Sequence, residues 1–195
     1  MKISQQQQAT TLLAAMQALD ARAAELEQVD RAALDWQPPQ GGWSAGQVLE
    51  HLCVANDSYL VELRKLLSRS TSAATRNVGD AMWRPSFAGR LLVRSMESPR
   101  KLPAPKAWRP APAPRPNVIA EFLARQREIE ALIERSMGNE WQRMRMASPV
   151  AAFIRMNVGD AFTVLVRHAE RHFRQIDDRL ASYHAAVRPA VAAGR

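Results

Sequence analysis

Two of the chain's four histidines, His168 and His172, stand four residues apart in the run Val166-Arg167-His168-Ala169-Glu170-Arg171-His172-Phe173-Arg174-Gln175-Ile176, which holds neither Gly nor Pro. On a helix, positions i and i+4 lie about 40° apart around the axis and one turn along it, so both imidazoles can reach a single point beside the helix. Two nitrogens are an incomplete ligand set for a divalent ion, and a third must come from elsewhere in the chain. Only His51 and His184 remain. His51 follows Val48 by three and precedes Ala55 by four, which sets it along the edge of an apolar stripe and facing inward. His184 is twelve residues past His172, well round the helix and near its expected end, where an imidazole serves as a charge partner for the C-terminus. His51 is therefore the expected third ligand.

Three neutral imidazoles around one ion leave at least one coordination position open, an arrangement suited to catalysis more than to structure. Zn²⁺, Ni²⁺ and Fe²⁺ all accept such nitrogens, and ligand type alone does not choose among them. Gln175 lies three beyond His172 and seven beyond His168, on the same helical face, where it can hydrogen-bond a ligand or a bound water. The pair is not the zinc-protease motif, which needs Glu directly after the first His, where Ala169 stands. Cys53 is about 200° round the axis from His51 and reads as a small core residue. Glu50 is about 100° from His51, and neither it nor Asp57 is assigned as a general base.

The elements that must position these side chains are helical. Leu12, Met16, Leu19, Ala23 and Leu26 alternate at spacings of four and three, which predicts a first helix from about Gln5 to Val29. Asp35-Trp36-Gln37-Pro38-Pro39-Gln40-Gly41-Gly42 turns the chain. Ser44-Ala45-Gly46-Gln47 fits a capping box for a second helix, with Trp43 placed to fold against Val48. Val48, Leu52, Ala55, Tyr59, Leu63 and Leu66 form its expected buried stripe. A short helix from Trp83 to Met96 is expected to turn Phe87, Leu91 and Leu92 inward. Seven prolines between Pro99 and Pro116 exclude helix or central strand, so an extended cover with polyproline character follows. Asn117 is the expected cap of a third long helix running to about Met137, with Ile119, Phe122, Ile129 and Ile133 inward and Gly138-Asn139 at its end. Residues 140 to 156 read as a connection with a helical turn holding Trp141 and Met144. Asn157-Val158-Gly159-Asp160 resembles the cap of a fourth long helix, extending to about Tyr183 and burying Phe162, Leu165, Ala169, Phe173, Ile176 and Leu180.

Four long amphipathic segments without a strand signal predict an all-α chain: a four-helix bundle with a long, basic, proline-rich connection between helices two and three. A single domain over 1–187 with a frayed tail over 188–195 is expected. The 195 residues contain 27 Lys and Arg against 19 Asp and Glu, a net charge of +8. Eight of the basic residues lie between Arg84 and Arg115 against the single acid Glu97, so the rest of the chain is nearly neutral. Such a segment solvates a loop, draws in an anionic small substrate, or holds nucleic acid or an acidic partner. Arg100, Lys101, Lys106 and Arg109 are the candidate attracting residues. One cysteine excludes an internal disulfide and fits a reducing compartment. No apolar run approaches a membrane span and no secretory leader is evident, so a cytoplasmic protein without a membrane partner is expected.

Gly42-Trp43-Ser44-Ala45-Gly46-Gln47-Val48-Leu49-Glu50-His51-Leu52, with His168, His172, Gln175 and Ile176 far downstream, resembles the DinB/YfiT-like superfamily. The basic passage Arg100-Lys101-Leu102-Pro103-Ala104-Pro105-Lys106-Ala107-Trp108-Arg109-Pro110 is similar to one branch of it. The resemblance spans about Gln5 to Tyr183. It implies a four-helix bundle, often a homodimer, with a divalent metal held by one histidine of the second helix and two of the last, matching His51, His168 and His172. It also implies, for members with activity, S-transferases and isomerases that use a low-molecular-weight thiol. A metal-activated thiol or water attacking an electrophile, as in a thiol transferase or a hydrolase, is the expected chemistry. A non-catalytic module gripping nucleic acid or an acidic partner through 84–115 is the alternative, and a dimer whose metal only stabilises the fold is a third reading.

Overall fold

The computed structural model describes residues 3–70, 81–97 and 103–192, with the backbone alone at 70 and 188–192. The described residues form helices α1 (Gln5–Glu25), α2 (Arg31–Asp35), α3 (Ala45–Ser70), α4 (Phe87–Glu97), α5 (Val118–Ser136) and α6 (Val158–Ala192). The 3.6-residue periodicity of α1 does what it predicts: Leu12, Met16, Leu19 and Ala23 are buried, and Leu26 follows them in a closing 3₁₀ turn. α3 lies against α5 and α6, and α1 lies against the same two, so the four long helices ring one apolar core. Leu52 and Leu63 of α3, Phe122 and Ile133 of α5, and Phe162 and Phe173 of α6 are sealed within it. Each such side chain contributes about 1.5–3 kcal/mol by leaving water.

Strands are present where none is expected. β1 (Ile3–Ser4) pairs antiparallel with β2 (Met82–Trp83), and β3 (Arg145–Ala147) pairs antiparallel with β4 (Arg155–Asn157), placing Met146 opposite Met156. Segments of two or three residues are too short to display a period of two, which is why the sequence hides them. Of Trp141 and Met144, expected together on a helical turn, Trp141 sits in the turn that the Arg143 amide closes on the Glu140 carbonyl and Met144 follows it directly before β3, both buried.

The start of α6 is fixed by a reciprocal pair. Asn157 Oδ1 accepts from the Asp160 amide at 2.9 Å, and Asp160 Oδ2 accepts from the Asn157 amide at 3.0 Å. The other oxygen, Asp160 Oδ1, accepts from the Ser86 amide at 3.0 Å, while Ser86 Oγ accepts from the Gly89 amide at 3.0 Å. The first turns of α4 and α6 are thereby joined. Gly89 makes the approach possible, since a Cβ there would stand 2.3 Å from Asp160 Cγ.

That junction overturns the expected orientation of α4. With Gly89 turned to α6, Phe87 and Leu91 point outward, 76% and 59% exposed, and Leu92 alone of the three packs on the core. Two further expectations shift. Asn117 occupies the cap position of α5 without making a side-chain cap, its φ of −101° and ψ of 24° lying outside the extended range that caps use. α6 stays helical through Ala192, beyond the Tyr183 at which its apolar face runs out; of the expected tail, 193–195 lie outside the described residues. Between α4 and α5, the described part of the proline strap is extended, apart from a 3₁₀ turn at Lys106–Trp108 and loose turns before α5; Pro105 and Arg109 hold φ, ψ of −49°, 142° and −72°, 135°.

Candidate metal centre

α3 and α6 are neighbours, and their facing surfaces bring the three histidines together. The capping box that begins α3 is present: the Ser44 amide donates to Gln47 Oε1 at 3.0 Å, and the Gln47 amide donates to Ser44 Oγ at 3.2 Å. One turn on from Gln47, His51 is 2% exposed. Its Nε2 lies 3.3 Å from His168 Nε2, which lies 3.1 Å from His172 Nε2. The ring centroids of His51 and His172 are 4.7 Å apart.

Hydrogen bonds on the far side of two rings decide which nitrogen faces the centre. His51 Nδ1 is 2.7 Å from the Trp108 carbonyl oxygen, a pure acceptor, so Nδ1 carries the proton and donates. His172 Nδ1 donates likewise to Gln175 Oε1 at 3.0 Å. Both Nε2 atoms therefore present lone pairs toward His168. Neutral rings packed this way lack the hydrogens to satisfy every inward contact, and a shared cation resolves the conflict. Nitrogens roughly 2.0–2.1 Å from one ion in tetrahedral arrangement stand about 3.3 Å apart, close to the separations found. The donor set fits a divalent metal.

Electrostatics favours the neutral ligand form. Burial pushes His51 below its ordinary value, with the Trp108 hydrogen bond opposing. Burial, then repulsion from His172, His51 and Arg171, holds His168 well below. Burial and the proximity of His51 push His172 down to about 3. None of the three needs to shed a proton to bind a cation at neutral pH.

Two tryptophans wall the centre. Trp43, expected to fold against Val48, brings its ring centroid to 5.0 Å from that of His51, and its carbonyl accepts from Arg179 Nε at 3.0 Å. Trp108 lies 6.3 Å from both His51 and His168, centroid to centroid, and the Tyr59 ring is at the same distance from it. Sequence reasoning passed over Trp108 and Arg179. A lone Trp within a proline strap that carries no other ring was the available signal for Trp108; nothing local marks Arg179.

The remaining candidates separate. Gln175 does contact a histidine. Cys53 is buried against the Val118 carbonyl, away from the centre. His184 is exposed beside Tyr183 and takes no part. Glu50 pairs with Arg115 at 3.4 Å and Asp57 with Arg125 at 2.8 Å, and neither carboxylate belongs to the histidine group. Lys106 and Arg109 are exposed on the strap to either side of Trp108; Arg100 and Lys101 lie outside the described residues.

A family model described as the DinB superfamily matches residues 11–176, a span that includes all three histidines and Gln175. The chain belongs to the DinB superfamily. The comparisons with curated proteins and with solved structures find no match. For this DinB-superfamily chain, the convergence of His51, His168 and His172 comes from its own geometry, and these three form the one group of metal-ligating type among the described residues. No helix among those residues is long and apolar enough to cross a membrane.

Proposed function

We propose that this DinB-superfamily protein binds a divalent metal ion through Nε2 of His51, His168 and His172 and acts as a metal-dependent enzyme of thiol S-transferase or hydrolase type. The single observation that supports this reading most is the pair of inward Nε2 contacts, 3.3 and 3.1 Å, combined with protons committed outward at Nδ1 of His51 and His172. The chemistry an ion supplies in such a site is Lewis acidity, which lowers the pKa of a thiol or a water to near neutrality.

The chain's own residues prepare that chemistry. Burial keeps the imidazoles neutral, and Gln175 and the Trp108 carbonyl hold two rings in one orientation. Trp43 and Trp108 exclude water from the side of the centre they cover, which strengthens electrostatic interactions within it. Lys106 and Arg109, exposed beside Trp108, favour a substrate that carries negative charge. A low-molecular-weight thiol with a carboxylate suits both features.

Elemental mass spectrometry on untagged protein tests the reading, because a histidine tag brings metal of its own. About one divalent ion per chain is expected, with His172→Ala losing both the ion and any thiol-transfer or hydrolytic activity. A native protein that stays empty after exposure to Zn²⁺ and Ni²⁺ removes it.

A further inference from the structure

The first turn of α3 does more than start a helix. The side-chain amide of Gln47 is saturated: Oε1 accepts from the Ser44 amide and from Gln37 Nε2 at 2.7 Å, while Nε2 donates to the carbonyls of Ala111 at 2.9 Å and Pro112 at 2.8 Å. A proline-rich strap has few N–H donors of its own and no ladder to join, so carbonyls turned from water must be met by side chains. Gln47 meets two of them. One turn further along the same face, His51 meets a third, that of Trp108. The strap therefore runs antiparallel to α3, residue 112 beside 47 and residue 108 beside 51. Gly46 lets it lie close, since a Cβ there would stand 2.9 Å from Pro114 Cγ. Arg31 adds bonds to the carbonyls of Pro114 at 3.0 Å and Pro116 at 3.2 Å.

We propose that Gln47 is a positioning residue for the metal centre: its amide seats the strap, and the seated strap presents the Trp108 carbonyl that holds His51 with Nε2 facing His168. The Gln47 side chain hydrogen-bonds to none of the three histidines and acts through the strap between Trp108 and Pro112. The proposal deepens the metal-centre reading above and rests on it for its consequence, yet the state of the His51 ring can be read with no metal present.

Gln47→Glu separates the two jobs of this side chain. A carboxylate still accepts from the Ser44 amide, so the helix cap survives, but it has no N–H for the strap and sets negative charge against two carbonyl oxygens. Ser44→Ala does the reverse, removing the hydroxyl of the cap and leaving the strap bonds. Gly46→Ala is a second strap variant: it favours helix by propensity while its methyl group displaces Pro114. Nitrogen-15 NMR of the metal-free protein reports which His51 nitrogen is protonated, chelator competition at fixed pH reports Zn²⁺ affinity, and urea unfolding reports the fold. In Gln47→Glu and Gly46→Ala, the expected results are a His51 signal averaged between tautomers and Zn²⁺ affinity lowered about tenfold. In Ser44→Ala, a lower urea midpoint is expected with the His51 signal and Zn²⁺ affinity of the wild type. A single Nδ1-protonated His51 and wild-type affinity in both strap variants overturn the proposal, as does an affinity loss in Ser44→Ala equal to that of Gln47→Glu, which would trace the effect to helix stability. If the wild type takes up no Zn²⁺, the metal reading fails and the tautomer measurement alone decides the role of Gln47.

Discussion

A single outward hydrogen bond on each of two rings, His51 to the Trp108 carbonyl and His172 to Gln175, fixes which nitrogen is available inside. Removing one such partner leaves the ring free to turn and to exchange its proton between nitrogens. Gln175→Leu, which keeps the volume and loses the acceptor, is therefore expected to weaken metal binding by about 10- to 100-fold with little change in unfolding free energy. Isothermal titration with Zn²⁺ checks it; an unchanged affinity would deny Gln175 any part in the centre. The spacing of His168, His172 and Gln175 was legible because a helix carries its neighbours at fixed angles. The Trp108 carbonyl was not, because no local pattern states which strap residue lies beside His51.

At the scale of elements, the junction of α4 with α6 reverses a rule of propensity. Alanine is ordinarily the better helix former by about 1 kcal/mol over glycine, yet Gly89→Ala drives a methyl group into the Asp160 carboxyl. A net destabilisation of about 1–3 kcal/mol is expected. Gly138→Ala, whose added Cβ meets nothing within 4 Å, should stay within about 0.5 kcal/mol of the wild type. Urea unfolding of both variants makes the comparison, and equal effects would deny the close approach. The same junction has a pH signature. Burial raises the Asp160 carboxyl above its ordinary 3.8, against the pull of its hydrogen bonds to Ser86 and Asn157. The folded chain thus keeps this proton to higher pH than the unfolded chain, so the group's contribution to stability is greatest below pH 3.8 and declines as pH rises toward its folded value. Asp160→Asn cannot ionise and lacks that decline. Its unfolding free energy relative to the wild type should improve from pH 3 to pH 7, whatever constant offset the amide brings; a flat or opposite trend counts against the assignment. Phe87 and Leu91 face outward for the same reason: an apolar stripe names a face, and the contact at Gly89 chose the other one.

For the whole molecule, the centre links the second helix of the ring to the last and lies beneath the strap, so an ion bound there stabilises every element that must be in place to form it. At free Zn²⁺ one hundred times the dissociation constant, the gain is about 2.7 kcal/mol, which for a chain of this size raises Tm by about 5–10 °C. Calorimetry with and without chelator should show that difference in the wild type and none in His172→Ala; a chelator-insensitive Tm in metal-loaded protein would contradict it. Residue order and spacing by themselves determined the long helices, their buried faces and the three imidazoles that point to the core, because helical periodicity, capping chemistry and the exclusion of proline from helices act within a few residues. The short strands, the outward face of α4, the Trp43 and Trp108 walls and the seating of the strap on Gln47 were decided only by tertiary structure, since each depends on which distant backbone comes within hydrogen-bonding or van der Waals reach.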